Sequence, residues 1–150
     1  MLNKEFWKKR KVLVTGHTGF KGSWMSMFLN HLEADLSGFA LNPNTNPSLF
    51  DVLKLSDTLN DIRGDIRDIK ICKQVLRKTS PEILIHMAAQ PLVRESYSNP
   101  VYTFETNVIG TLNVLEASRY CESLKVILVV TSDKCYENME TNYSYTEDDC

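Results

Sequence analysis

Three glycines stand at equal intervals near the N-terminus, Gly16, Gly19 and Gly22, within the stretch V-L-V-T-G-H-T-G-F-K-G-S-W. An apolar run precedes them and a helical pattern follows. In that setting the first glycine permits a tight turn and the second lets the backbone approach a pyrophosphate. The third lets a helix pack close against a strand. Amide groups and the dipole at the helix start favour the anion. The stretch from Thr15 to Gly22 therefore reads as a loop for the pyrophosphate of a nicotinamide dinucleotide. Its candidate contacts are Gly16, His17, Thr18, Gly19, Phe20, Lys21 and Gly22. His17 and Lys21 have two readings, as polar side chains facing solvent or as groups facing the phosphates. An acidic residue about twenty positions on usually meets the adenosine ribose. Here Phe39, Ala40, Leu41 and Asn42 offer no carboxylate, and no arginine stands among them for a 2'-phosphate. These residues leave NAD against NADP open, with Asn42 a weak ribose contact.

A second group follows the apolar run Val126 to Val130: Thr131, Ser132, Asp133 and Lys134. Open α/β sheets bind ligands beyond the carboxyl ends of their strands. Four polar residues at such an end are poor core material and good site material, although a plain strand exit has the same composition. Two more candidate strand ends carry Gly64-Asp65-Ile66 and His86-Met87-Ala88-Ala89-Gln90. Taken alone, Asp65 is equally a turn residue capping the next helix or an acceptor for an adenine amine.

The elements that must position these residues alternate along the chain. Short strands are expected at Lys11 to Val14, Leu36 to Leu41, Asp61 to Gly64, Pro81 to His86 and Val126 to Val130. Helices are expected at Gly19 to Leu32, Asp68 to Lys78 and Val101 to Cys121, with a short one at Leu49 to Leu55. Gln90 to Asn99 is expected to be a loop. In the first helix Trp24, Phe28 and Leu32 repeat at fourfold spacing with Met25 and Leu29 beside them, which predicts the buried face. In the long helix the apolar set is Phe104, Val108, Leu112, Leu115 and Ala117. Strands that are apolar without alternation belong in a parallel sheet covered on both faces. Strands alternating with helices imply right-handed crossovers and a doubly wound, Rossmann-like α/β fold with helices on both faces.

Composition narrows the function classes. The 150 residues are 43% hydrophobic with a net charge of -2, enough for one globular domain and without a charge field for nucleic acid or an anionic membrane. No apolar run reaches bilayer length, and no signal peptide is evident in Met1 to Lys11. The reading is of a soluble cytoplasmic protein. Cys72, Cys121, Cys135 and Cys150 lack paired spacing, so reduced thiols are expected and no metal site.

The G-x-x-G-x-x-G loop resembles that of the extended short-chain dehydrogenase/reductase superfamily. Taken with N-P-N-T-N-P-S-L-F, G-D-I-R-D, A-A-Q-P-L-V-R and T-S-D-K-C-Y, the chain resembles the CDP-glucose 4,6-dehydratase family. The likeness runs from about residue 8 to the last residue. It implies an NAD-dependent lyase giving CDP-4-keto-6-deoxyglucose for bacterial lipopolysaccharide and O-antigen dideoxysugars. A hydride would leave sugar C4 to bound NAD, water would be lost across C5 and C6, and the hydride would return to C6. By the same resemblance Asp65 and Ile66 hold adenine, and Ala88, Ala89 and Gln90 mark a close cofactor contact with Thr131. Asn107 steadies the central strands, and His86 is structural. Ser132 would bond the sugar 4-hydroxyl and Asp133 would protonate the departing C6 hydroxyl, which needs a raised pKa. Lys134 stands where related dTDP-glucose enzymes carry Glu. It is either a neutral base, its pKa depressed by burial or nearby cations, or a group that binds phosphate or positions Asp133.

The superfamily's Tyr-x-x-x-Lys pair is absent, since Tyr143 and Tyr145 are followed four residues on by Glu147 and Asp149. The resemblance places that pair, and the substrate-binding region, after residue 150. The chain therefore reads as one NAD(P)-binding domain, incomplete relative to the family and by itself short of full activity. A homodimer or higher homo-oligomer is expected, with the long helix either forming its interface or simply covering the sheet. Two other readings stand beside the dehydratase: an epimerase or reductase of the same branch, and a non-catalytic dinucleotide-binding module.

Overall fold

The computed structural model describes residues 3–132, 136–137, 139–140 and 142–150. Five strands, β1 (Lys11–Thr15), β2 (Asp35–Ala40), β3 (Asn60–Arg63), β4 (Ile83–His86) and β5 (Val126–Val129), form one sheet in the order β3-β2-β1-β4-β5, all parallel. The helices are α1 (Lys4–Trp7), α2 (Phe20–His31), α3 (Leu49–Val52), α4 (Ile69–Thr79), α5 (Val93–Ser98), α6 (Pro100–Phe104) and α7 (Thr111–Ser118). A π-helical segment, Glu105–Gly110, joins α6 to α7. This is the doubly wound α/β fold that the alternating pattern predicts. The strand order reverses between β1 and β4, the switch point at which such sheets open a crevice.

Period-two alternation divides β1 between two cores. Leu13 joins Phe39, Leu84, Val75, Leu76, Val114 and Ala117 on the face covered by α4 and α7. Val12 and Val14 join Leu29, Leu36, Ile83 and Ile85 on the face covered by α2. Each apolar side chain buried this way contributes about 1.5–3 kcal/mol. Helix α4 is cut cleanly at both ends: Asp68 Oδ1 accepts from the amides of Lys70 and Ile71, and Ser80 closes it at φ 43° with Arg77 and Lys78 in the last turn.

Four details differ from the sequence reading. The inner face of α2 is Gly22, Ser23, Ser26 and Leu29, while Trp24 stays 47% exposed. Trp24, Phe28, Met25, Met27 and Met87 line an open apolar groove of about 580 Å³ with Lys21. Small residues win the inner face because the helix lies so close to the glycine loop: a Cβ on Gly22 would stand 2.1 Å from the Gly16 carbonyl oxygen. Second, the expected loop Gln90 to Asn99 contains α5. The Gln90 side chain sets it up, accepting from the Leu92 amide at 2.6 Å and donating to Thr103 Oγ1 at 2.9 Å. Third, the long helix starts at Pro100, where a missing amide costs nothing, and its inner face is Val114, Ala117 and Ser118. Phe104, Val108 and Leu112 point outward. Fourth, β5 is the outermost strand among the described residues, and its Val126, Ile127 and Leu128 are exposed there.

Candidate functional site

The glycine loop leaves β1 at Thr15 and enters α2 at Phe20. Gly16 turns the chain at φ 75°, in the left-handed region that favours glycine, and a Cβ there would meet the Ala88 amide nitrogen at 2.7 Å. The turn thus brings the loop to backbone contact with the segment that follows β4. Gly19 is the N-cap of α2, and no side chain caps that helix. The first-turn amides of a twelve-residue helix therefore face the crevice without a side-chain acceptor. Phe20 and Lys21 are exposed at its mouth, while the Thr18 hydroxyl turns inward to the Leu41 carbonyl at 3.0 Å.

His17 faces neither solvent nor the mouth of the crevice. Its side chain is 0% exposed, and Nε2 donates to Asp61 Oδ1 of β3 at 2.9 Å. The ring packs edge-on to Phe50 at 5.3 Å and occupies the space left by Gly38, where a Cβ would stand 2.4 Å from the ring. Burial pushes its pKa below 6.5, opposed by the Asp61 bond. Neither the solvent-facing nor the phosphate-facing reading holds for His17, whose ring turns into the protein toward β3. A glycine on the neighbouring strand decided the matter, and nothing near His17 in sequence signals it.

Thr15 is the hub between β1 and β4. Its Oγ1 accepts from the amides of Met87 at 3.1 Å and Ala88 at 3.2 Å and donates to His86 Nδ1 at 2.7 Å. His86 Nε2 then donates to Thr111 Oγ1 on α7 at 3.0 Å. Burial drives the His86 pKa down to about 4, so the ring is a neutral strut. Gln90 is buried. Its amide donates to Asn107 Oδ1 at 2.7 Å, and Asn107 Nδ2 donates back to the Gln90 carbonyl at 3.0 Å. Asn107 sits in the π-helical segment, where the wider turn presents its amide to the β4 exit. Ala88 and Ala89 remain between these two clamps.

The third strand end is held from two sides. Asp65 accepts from Arg67 Nε at 2.9 Å and Nη2 at 2.6 Å. Burial raises its pKa, but these bonds outweigh that and hold the carboxyl below its usual range. Arg67 reaches on to Glu105 at 3.3 Å. The Ile66 side chain lies in the core against Gly110. Asn113 Nδ2 clamps the carbonyls of Ile66 and Arg67. Thr131 and Ser132 are exposed just past β5. The candidates Asp133 and Lys134 lie outside the described residues. The structure thus gathers the glycine loop, Asp65, Ala88, Ala89 and Gln90 at one end of the sheet, with Thr131 and Ser132 beyond the adjacent edge strand.

Sequence reading missed two residues. Arg63 Nη1 donates to the Leu41 carbonyl at 3.1 Å, so an arginine does stand beside the end of β2, supplied across the sheet rather than along the chain. Asp61 pairs with it at 2.7 Å. Only the parallel register Ala40↔Arg63 reveals this, and no local spacing carries it.

Among the described residues no helix is long and apolar enough to cross a membrane, and no cluster of metal ligands occurs. The chain is 46% identical to the CDP-glucose 4,6-dehydratase of Salmonella typhimurium over 149 residues, covering 99% of this chain and 42% of that protein. The UDP-glucose 4-epimerase of Thermus thermophilus, solved in complex with NAD, is 31% identical with a TM-score of 0.66 over 77% of this chain and 35% of its own. The epimerase Mth375 of Methanothermobacter thermautotrophicus shares the fold at a TM-score of 0.78 over 97% of this chain and 42% of its own, with 21% identity. The chain therefore spans less than half the length of these relatives. Residues 13–149, from the middle of β1 through all the strand ends just described, match the family model of GDP-mannose 4,6 dehydratase, and the chain belongs to that family.

Proposed function

We propose that this chain is the cofactor-binding part of an NAD-dependent CDP-glucose 4,6-dehydratase. One observation carries the reading: at the switch point of the sheet Gly16 brings the glycine loop to backbone contact with Met87 and Ala88, just before α2 begins without a side-chain cap. A pyrophosphate fits there because glycine leaves the cradle that a Cβ would fill, and the α2 amides supply donors. Bound NAD would supply a hydride acceptor and donor. The chain's own residues do the placing. Gly16, Thr18, Gly19, Phe20, Lys21 and Gly22 frame the pyrophosphate, and the backbone of Asp65 and Ile66 borders the adenine end. Ala88, Ala89, Gln90 and Thr131 line the path toward the nicotinamide, with Asn107 holding Gln90. Ser132 would bond the sugar 4-hydroxyl, Asp133 would protonate the leaving C6 hydroxyl, and Lys134 would serve as C5 base or hold Asp133 in place. The 46% identity to the Salmonella enzyme supports CDP-glucose as substrate. A cytoplasmic homodimer acting in bacterial O-antigen dideoxysugar synthesis completes the proposal.

The test is incubation of the full-length protein with CDP-glucose and with dTDP-glucose. The expected outcome is a 4-keto-6-deoxy product, 18 mass units lighter by loss of water (about that value from the reaction's stoichiometry), from CDP-glucose alone. Turnover of only dTDP-glucose sinks the substrate assignment. The likeness to an NAD-complexed UDP-glucose 4-epimerase favours a second reading, epimerisation. That reaction conserves mass, so the same experiment separates the two.

A further inference from the structure

Arg63, the last residue of β3, lies across the sheet from Ala40, the last residue of β2. Its Nη1 donates to the Leu41 carbonyl at 3.1 Å, the same carbonyl that takes the Thr18 hydroxyl of the glycine loop at 3.0 Å. That carbonyl stands where dinucleotide folds meet the adenosine ribose, one residue past the second strand and against the loop. A guanidinium in this place is suited to a 2'-phosphate. Here it already has a partner. Arg63 Nη2 and Nε donate to Asp61 Oδ2 at 2.7 Å and 3.1 Å, and Asp61 Oδ1 takes His17 Nε2 at 2.9 Å. Phe50 braces both outer members, edge-on to the His17 ring at 5.3 Å and beneath the Arg63 guanidinium at 4.8 Å. With His17 wedged against Gly38, Asp61 has little freedom to turn away.

We infer that the His17–Asp61–Arg63 cluster is the element that selects NAD over NADP. The inference rests on the glycine loop being the pyrophosphate site. A ribose 2'-hydroxyl is neutral and asks for no countercharge beside Leu41. A 2'-phosphate carries roughly -1.5 to -2 charges. To be held by Arg63 it must share a guanidinium that Asp61 already neutralises, which sets a second anion close to a half-buried carboxylate. The carboxylate missing from the end of β2 is thus replaced in function by one on β3, acting through the arginine it neutralises. Asp61 and Arg63 are positioning residues for this selectivity and have no part in the chemistry.

The experiment is calorimetric titration of the full-length protein with NADH and NADPH. The wild type should bind NADH at least about tenfold more tightly. Asp61→Asn keeps the shape and releases Arg63, so NADPH affinity should rise by about tenfold while NADH affinity moves by less than about threefold. Adding Arg63→Ala to Asp61→Asn should remove the gain. Asp61→Ser makes the same prediction should the Asn variant melt at a much lower temperature. Equal wild-type affinity for the two dinucleotides, or an unchanged affinity ratio in a folded Asp61 variant, overturns the inference while leaving the dinucleotide site standing. A wild type that binds neither dinucleotide overturns the site itself and the inference with it.

Discussion

The two buried histidines show how the same side chain serves different ends within one fold. His86 bridges two threonine hydroxyls between β1 and α7, and burial holds its pKa at about 4, far below the ordinary 6.5. The unfolded chain takes up a proton below about pH 6.5, and the folded chain does so only near pH 4. Its contribution is therefore fully present above pH 6.5 and is lost progressively as pH falls toward 4, by about 3 kcal/mol in all. Urea unfolding at pH 7 and pH 4.5 should show this loss in the wild type and a flatter dependence in His86→Gln. Parallel pH profiles for the two proteins would rule it out. His17 is also buried, but its partner is the Asp61 carboxylate, so its ring is tied to the Asp61–Arg63 ion pair as well as packed against β2. Cys72, whose thiol burial pushes up to about 12, is inert by the same physics.

At the level of elements, the close approaches are set by absent side chains. β2 accommodates the His17 ring only because residue 38 is glycine. Gly38→Ala should therefore destabilise the protein by about 1–3 kcal/mol, through overpacking rather than backbone strain. In a His17→Ala background the same substitution should cost little, so a double-mutant cycle followed by denaturant unfolding should show strong coupling. Additive losses would mean that the clash is relieved elsewhere. The small face of α2 has the same origin. Gly22, Ser23 and Ser26 let the helix sit against the loop, and the aromatic residues that look like a core stripe line an open groove instead. The π-helical segment is a third case, since its wider turn brings Asn107 to both main-chain groups of Gln90.

Among the described residues the chain forms a five-stranded parallel sheet whose two cores are sealed near β1, with exposed apolar residues toward β5 and the long helix. Val101, Phe104, Val108 and Leu112 form an exposed stripe, with Phe104 68% exposed, on the face opposite the one that covers the sheet. One side of this helix packs inward, as one expectation has it, and the exposed side is where a second copy would seat. Sedimentation of the full-length protein should give a dimer, and Phe104→Glu combined with Val108→Glu should give a monomer with unchanged far-UV circular dichroism. A dimer that survives both charges places the interface elsewhere.

The sequence by itself determined the strand ends and the residue types gathered there, because these are local. A glycine triplet between an apolar run and a helix, an aspartate after a glycine and two alanines after a buried strand each depend only on neighbouring residues and on periods of two and 3.6. The strands, α4 and the switch-point crevice follow from that, and the family could be recognised from the same strings. Only the tertiary structure decided where His17 points and which arginine stands beside the end of β2. These depend on what lies across the sheet: Gly38 opposite His17 and Arg63 in register with Ala40. Parallel register brings together residues more than twenty positions apart, and no spacing along the chain encodes which of them will meet. The glycine loop could be read from its own residues, while the arginine that shares the Leu41 carbonyl with it comes from a strand that follows it by some forty.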